Sequence, residues 1–209
     1  MIVVVDYGMG NLASIVKMVK KVGGAATLST GPEDIASATK LILPGVGSFD
    51  HGMANLRQRD YVDLLTRRVV VDKVPILGIC LGMQLLTCGS EEGGPAPGLG
   101  WIDAQTVRFR FEPPARQLKI PHMGWNTVRV VRPHPLFPDA ETHRRFYFVH
   151  SYHVVCRDPA NVLTATTYGF EFTSAVVKDN IIGTQFHPEK SLRYGMDVMR
   201  HFVQDVPTP

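Results

Sequence analysis

Short apolar runs, each ending in a glycine turn that gives way to a helical pattern, constrain this chain most strongly. "IVVVD" (Ile2–Asp6) is followed by "YGMGN"; Leu12, Ile15, Val16, Val19 and Val22 then recur at helical spacing over Asn11–Val22, up to Gly23-Gly24. "ATLST" and "KLILPGVG" are the second and third strand candidates, the latter stopped by Pro44 and two glycines. Phe49 to about Val71 reads mostly as helix, "VPILGI" as a fourth strand, and "LGMQLLT" opens another helix. This alternation predicts an α/β fold, a doubly wound and mostly parallel sheet with helices on both faces. Sites in such sheets form beyond the carboxyl ends of the strands, so the three glycine turns are expected to lie together.

The second half changes character. "GGPAPG" (residues 93–98) is a loop by composition. The β-rich runs "AQTVRFRF", "NTVRVV", "RFYFVHSYHVV", "NVLTATTYG" and "SAVVKDNIIGTQF" predict added antiparallel strands, with a hairpin turn at Asp179-Asn180. Leu192, Met196, Met199 and Phe202 mark a closing helix. Residues 1–204 are expected to form a single domain and residues 205–209 a disordered tail.

Composition narrows the function classes. Of 209 residues, 44% are hydrophobic and 20% charged, and the net charge is +3 with scattered lysines and arginines, which gives no basis for a nucleic-acid partner. Three cysteines without CxxC spacing argue against a disulfide framework and a zinc site. The apolar start lacks a basic region before it, and the neighbourhood from Val69 to Leu86 is broken by Asp72, Lys73 and Pro75. Neither a signal peptide nor a membrane span is expected, and a reducing cytoplasm is the expected location.

Gly78-Ile79-Cys80-Leu81-Gly82 fits G-x-C-x-G at a predicted strand–helix junction. A nucleophile there needs a sharp turn to project its sulfur, and glycines two residues either side relieve crowding. The competing reading is a small buried cysteine in a core, and the local residues leave both open. A cysteine nucleophile needs a base held by a third group. His51, His134, His143 and His201 have surface-like contexts, and His150 and His153, three apart in a strand-like run, are expected to face opposite sides. His187 ends a strand in "GTQFHPEKS", with Glu189 placed to fold back on its ring; a solvated His-Pro-Glu loop is the alternative. Oxyanion donors are available from "LPGVGSF" and from the amide of Leu81.

"ILPGVGSFDHGM", "LGICLGMQLL", "PHMGWN", "FYFVHSY" and "GTQFHPEKS", in that order, resemble the class I (triad) glutamine amidotransferases. More narrowly, with the opening "VVVDYGMGNLASI", they resemble the glutaminase subunits of imidazole glycerol phosphate synthase, over about residues 1–203. The resemblance implies a flavodoxin-like fold with neither metal nor organic cofactor. It implies Cys80 as the nucleophile on the glutamine side-chain amide, His187 as acid–base and Glu189 as its orienter. Gly45, Val46 and Gly47 match the oxyanion strand, thought to need rearrangement before its amide points correctly. Gln84 and Glu91 match positions holding the substrate's amino-acid end, and His150, Ser151 and Tyr152 match a backbone clamp for that end.

The resemblance also implies a separate (β/α)8-barrel synthase as partner in a heterodimer, to which ammonia passes. Met9, Gly10, Asn11, Trp125, Asn126, Tyr147 and Lys190 are the docking residues by likeness. On residues alone, Trp125 could equally be a core tryptophan or an interface anchor. Related glutaminases serve barrels that amidate cell-surface sugars, and this alternative acceptor would leave the glutaminase sequence unchanged. Cys88, eight residues past Cys80, is expected on the same helix, buried and inert; Cys156 matches no site residue.

Overall fold

The structure is a computed structural model that describes residues 1–94, 96–138 and 144–209; His143 and Pro95 of the "GGPAPG" loop lie outside the described residues. The first half contains β1 (Ile2–Val4), α1 (Leu12–Lys21), β2 (Ala26–Leu28), α2 (Pro32–Ser37), β3 (Lys40–Leu43), α3 (Phe49–Gln58), α4 (Tyr61–Thr66), a π-helical turn (Arg67–Val71), β4 (Ile76–Ile79) and α5 (Leu81–Leu85). The second half contains β5 (Gly89–Ser90), β6 (Ala96–Pro97), β7 (Ala104–Arg108), β8 (His122–Val130), β9 (Arg144–His150), β10 (Tyr152–Cys156), β11 (Val162–Tyr168), β12 (Phe170–Lys178), β13 (Ile181–Thr184) and α6 (Leu192–Gln204).

β2-β1-β3-β4-β13 run parallel, in the 2-1-3-4-5 order of a flavodoxin-like sheet. β12, β10, β7 and β11 extend it, mainly by antiparallel pairing, and β8 pairs with β9. The β-branched runs are buried on both sides, and their alternation divides the core into two layers. Ile2, Val4, Ile42, Leu77 and Ile182 pack with α1 and α6, whereas Val3, Leu41, Leu43, Ile76 and Ile181 pack with α2 to α5. Each fully buried aliphatic side chain contributes roughly 1.5–3 kcal/mol, so this double burial secures the sheet that carries the site.

Four local expectations differ from the structure. The helical segment after Phe49 breaks at Asp60, which adopts a left-handed conformation (φ 57°) between α3 and α4. α2 was not foreseen, because six residues opened by Pro32 are too short to show a helical period. α5 stops at Leu85, so Cys88 is not on it; the half-buried thiol instead approaches the Ile102 carbonyl at 3.6 Å. Leu192, expected in the core face of α6, is 72% exposed, whereas Val198, Met199 and Phe202 are buried.

The two glycines around Cys80 have distinct steric causes. A Cβ on Gly78 would sit 2.7 Å from the Gly82 carbonyl oxygen, and one on Gly82 would overlap the Leu43 carbonyl oxygen. The turn after β4 is therefore pressed against itself and against the end of β3. Gly82→Ala is expected to lower unfolding free energy by about 3 kcal/mol, read from the urea midpoint; an unchanged midpoint would show that the start of α5 can move freely off the end of β3.

Candidate active site

Cys80 and His187 are far apart in sequence, and sheet pairing brings them together. Ile79 of β4 pairs with Thr184 of the adjacent parallel strand β13, and the Cys80 amide donates to the Thr184 carbonyl at 2.7 Å. Cys80 is one residue past that pair and His187 three, so both leave the sheet at the same edge. Cys80 holds φ 54° and ψ −109°, a conformation that costs on the order of 1–3 kcal/mol and lifts the sulfur out of the strand line. Cys80 and His187 line one cavity of 240 Å³ with Val46, Gly47, Leu81, Gln84, Glu92 and the His150–Tyr152 segment.

His187 Nδ1 and Glu189 Oε1 are 2.8 Å apart, with side chains only 1% and 2% exposed. The ring is held from behind by its amide donating to Tyr147 O at 3.0 Å and by Ser191 Oγ donating to its carbonyl at 2.6 Å. Nε2 is buried with no other hydrogen-bond partner, which leaves the neighbouring Cys80 sulfur as the group that meets this side of the ring. Burial disfavours the imidazolium, but the Cys80 sulfur and Glu189 outweigh it and raise the His187 pKa to about 10. A buried histidine fixed at Nδ1, with Nε2 free beside a sulfur in a cavity, can move a proton between that sulfur and a bound reactant.

The remaining expected residues divide into those at the cavity and those around it. Gly45 is buried, and a Cβ there would meet Leu81, the Gly82 amide nitrogen and the Tyr7 hydroxyl within 2.8 Å, which holds the β3 turn against the start of α5. Val46 and Gly47 (φ 124°) are exposed at the cavity mouth. The Leu81 amide opens α5 and so has no acceptor within the helix. Gln84 Nε2 donates to Tyr152 O at 3.2 Å and to Gln185 Oε1 at 3.0 Å.

Glu91 is not at the cavity. Its carboxylate accepts from the Arg108 amide and from Arg110, each at 3.0 Å, while Glu92 lines the cavity. The two glutamates lie in the bend and turn that follow β5, where Arg108 and Arg110 draw Glu91 away from the cavity. His150 and His153 also depart from expectation: both rings pack on Phe109, with centroids 5.2 and 4.7 Å away. The bend at Ser151 ends β9 and starts β10, which resets the alternation. Of the histidines expected at the surface, His51 is exposed, whereas His134 and His201 are half-buried.

Among the docking candidates, Gly10 (φ 103°) lies against Pro44 and Gly45, and Met9 Cε would be 2.7 Å from a Cβ on Gly47. The Met9–Asn11 turn thus rests on the cavity's glycine turn. Trp125, 41% exposed, meets Tyr147 edge-on at 6.3 Å, and Lys190 Nζ lies 5.8 Å from the centre of the Tyr147 ring. Asn126 is half-buried in the same strand as Trp125. Gln185 was missed by the sequence reasoning, although it is wholly buried and its Nε2 donates to Cys80 Sγ at 3.7 Å. Its position two residues before His187, just past the end of β13, was the available signal.

Comparison with known proteins shows the family of the chain. The family described as "Glutamine amidotransferase class-I" matches residues 3–206. "Imidazole glycerol phosphate synthase subunit HisH 2" of Methanococcus maripaludis is 53% identical over 204 residues, covering 98% of this chain and 99% of that protein. The protein of the same description from Pseudomonas aeruginosa is 50% identical over 204 residues, again covering 98% and 99%. A solved structure described as "Crystal structure of glutamine amidotransferase" superposes with a TM-score of 0.73 at 20% identity, over 97% of each chain, and so shares the fold. With this match along nearly its whole length, the chain belongs to the class-I glutamine amidotransferase family.

Proposed function

We propose that this chain is the glutaminase subunit of imidazole glycerol phosphate synthase, hydrolysing L-glutamine and delivering the ammonia to a (β/α)8-barrel subunit in a heterodimer. The observation that carries the reading is the convergence of Cys80 with a buried, Glu189-bound His187 in one cavity at the carboxyl edge of the parallel sheet. The names of relatives at 53% and 50% identity support the synthase as the assembly, over a barrel that amidates sugars.

In this reading the Cys80 thiol gives its proton to His187 Nε2 as the sulfur attacks the side-chain carboxamide carbon of glutamine. The oxyanion is held by the Leu81 amide and an amide of the Gly45–Gly47 turn. His187 gives its Nε2 proton to the leaving nitrogen, the carbon–nitrogen bond breaks, and ammonia departs from a γ-glutamyl thioester. Water then loses a proton to His187 and attacks the thioester, and glutamate leaves as the sulfur is released. Glu189 keeps the ring oriented throughout. Glu92, rather than Glu91, is the carboxylate placed at the cavity to meet a substrate ammonium.

Docking would act on the glycine turn through Met9 and Gly10, and on His187 through Tyr147, whose carbonyl accepts from the His187 amide. Alone, the chain is expected to hydrolyse glutamine slowly, and the barrel with its nucleotide should raise kcat at least tenfold. Full activity without the barrel would overturn this dependence. Growth of a histidine auxotroph lacking its own glutaminase subunit, restored by this chain with its cognate barrel, tests the acceptor; failure to restore growth despite glutaminase activity would point to the sugar-amidating assembly. Among the described residues no helix is long and apolar enough to cross a membrane.

A further inference from the structure

His122, in "PHMGWN", has no part in the chemistry above, yet it is 3% exposed in the middle of a hydrogen-bonded line. Its Nδ1 is 3.0 Å from His150 Nε2, and its Nε2 is 3.2 Å from Asn126 Nδ2. His150 Nδ1 is in turn 2.7 Å from the carbonyl oxygen of Tyr152, a cavity residue. The line therefore runs from the Trp125–Asn126 stretch of β8, on the candidate docking face, to the wall of the active site.

Backbone groups fix the direction of every bond in it. At one end the Thr127 amide donates to Asn126 Oδ1 at 2.8 Å, and Asn126 Nδ2 also donates to Thr167 O at 2.9 Å. The nitrogen of that amide must therefore be the end facing His122, whose Nε2 has to accept. His122 then carries its proton on Nδ1 and donates to His150 Nε2. His150 carries its proton on Nδ1 and donates to Tyr152 O, a carbonyl that can only accept. Starting from the Tyr152 end gives the same assignment, so each neutral ring has one permitted tautomer.

The rings are also held sterically and electrically. His122 is stacked between Phe148 at 4.9 Å and Tyr168 at 4.1 Å. His150 packs on Phe109 and Phe172 at 5.2 and 5.3 Å. Burial lowers the pKa of His122 to about 4 and that of His150 to about 3, which keeps both neutral at physiological pH. The Tyr152 carbonyl at the far end also accepts from Gln84 Nε2, so moving it disturbs two cavity residues at once.

We propose that His122 and His150 form a single-tautomer strut through which docking at the Trp125–Asn126 stretch of β8 sets the position of the Tyr152 carbonyl in the glutamine site. It rests on the glutaminase reading above, and makes His122 a positioning residue. An imidazole strut passes displacement well because each ring is planar and cannot shorten, and the aromatic rings packed on both histidines oppose rotation that would absorb the shift.

The test starts with the full wild-type chain. Long-range nitrogen–proton NMR of the imidazoles at neutral pH should show both rings protonated on Nδ1 alone; the opposite tautomer or an imidazolium at either ring overturns the proposal. Kinetics of the chain with saturating barrel subunit and nucleotide come second. His122→Phe keeps the stack but cuts both hydrogen bonds, and should raise KM for glutamine about tenfold with kcat within twofold and ammonia-dependent synthesis unchanged. A normal KM, or a fall in kcat alone with a lower melting temperature, overturns the positioning role. Asn126→Ala should raise KM similarly, and the double variant should be no worse than the poorer single one; additive losses would sink the coupling. If the wild-type complex hydrolysed no glutamine, the glutaminase reading itself would fail, while the tautomer measurement would still decide whether the strut exists.

Discussion

Cys80→Ala should reduce glutamine-dependent turnover of the complex by a thousandfold or more, on the order expected for loss of a covalent nucleophile. The same complex should make product at the wild-type rate when supplied with high concentrations of an ammonium salt. The contrast follows from where the sulfur sits. Cys80 stands in one cavity of this chain, and the acceptor chemistry proposed for the barrel lies elsewhere. Substitution by alanine adds no bulk to the strained turn, whose tight contacts involve Gly78 and Gly82. Glutamine turnover within tenfold of wild type would remove Cys80 from the mechanism; loss of both activities would mean that the variant had damaged the assembly.

His187→Asn carries the second large effect. The asparagine amide can occupy the place of Nδ1 and keep a donor on Glu189, but it has nothing at Nε2. Proton transfer by a positioned side chain contributes typically 10²–10⁴-fold, and kcat should fall by about that much. The substitution should also change how stability depends on pH. His187 is raised to about 10 in the folded chain from an ordinary value of 6.5. A raised folded-state value favours the protonated folded form, so this contribution is complete below about pH 6.5 and is lost as pH rises toward 10. Wild type should therefore lose more stability than His187→Asn between pH 6.5 and 10, as read from urea midpoints at several pH values. Parallel midpoint curves for the two proteins would show that the His187–Glu189 pair does not hold its proton.

What could be read from the sequence was what local chemistry determines. β1, β3 and β4 were legible because short apolar runs buried on both faces leave a plain pattern, and G-x-C-x-G because glycines on both sides of a cysteine at a strand end mark a crowded turn. His187 and Glu189 were legible as neighbours, since Pro188 between them forces a tight turn. Other features depended on elements distant in sequence. Whether Glu91 or Glu92 faces the cavity is decided by Arg108 and Arg110 on and beside β7. The shared face of His150 and His153 follows from a bend inside what looks like one continuous strand. His122 was passed over because its partners, His150 and Asn126, give it meaning only once β8 and β9 are paired.

The insertion of β13 between β4 and β12 has a consequence for the newborn protein. β4 leaves the ribosome about a hundred residues before the strand that covers its open edge, and synthesis at roughly 5–20 residues per second makes that wait about 5–20 seconds. During it, the backbone of β4 offers unpaired hydrogen-bonding groups and the Cys80 thiol has no His187 beside it. The final pairing closes a long loop, a slow step for a chain of this topology. In the proposed mechanism, sealing that vulnerable edge and arming the nucleophile are thus one event in time, so an incomplete chain would not squander glutamine.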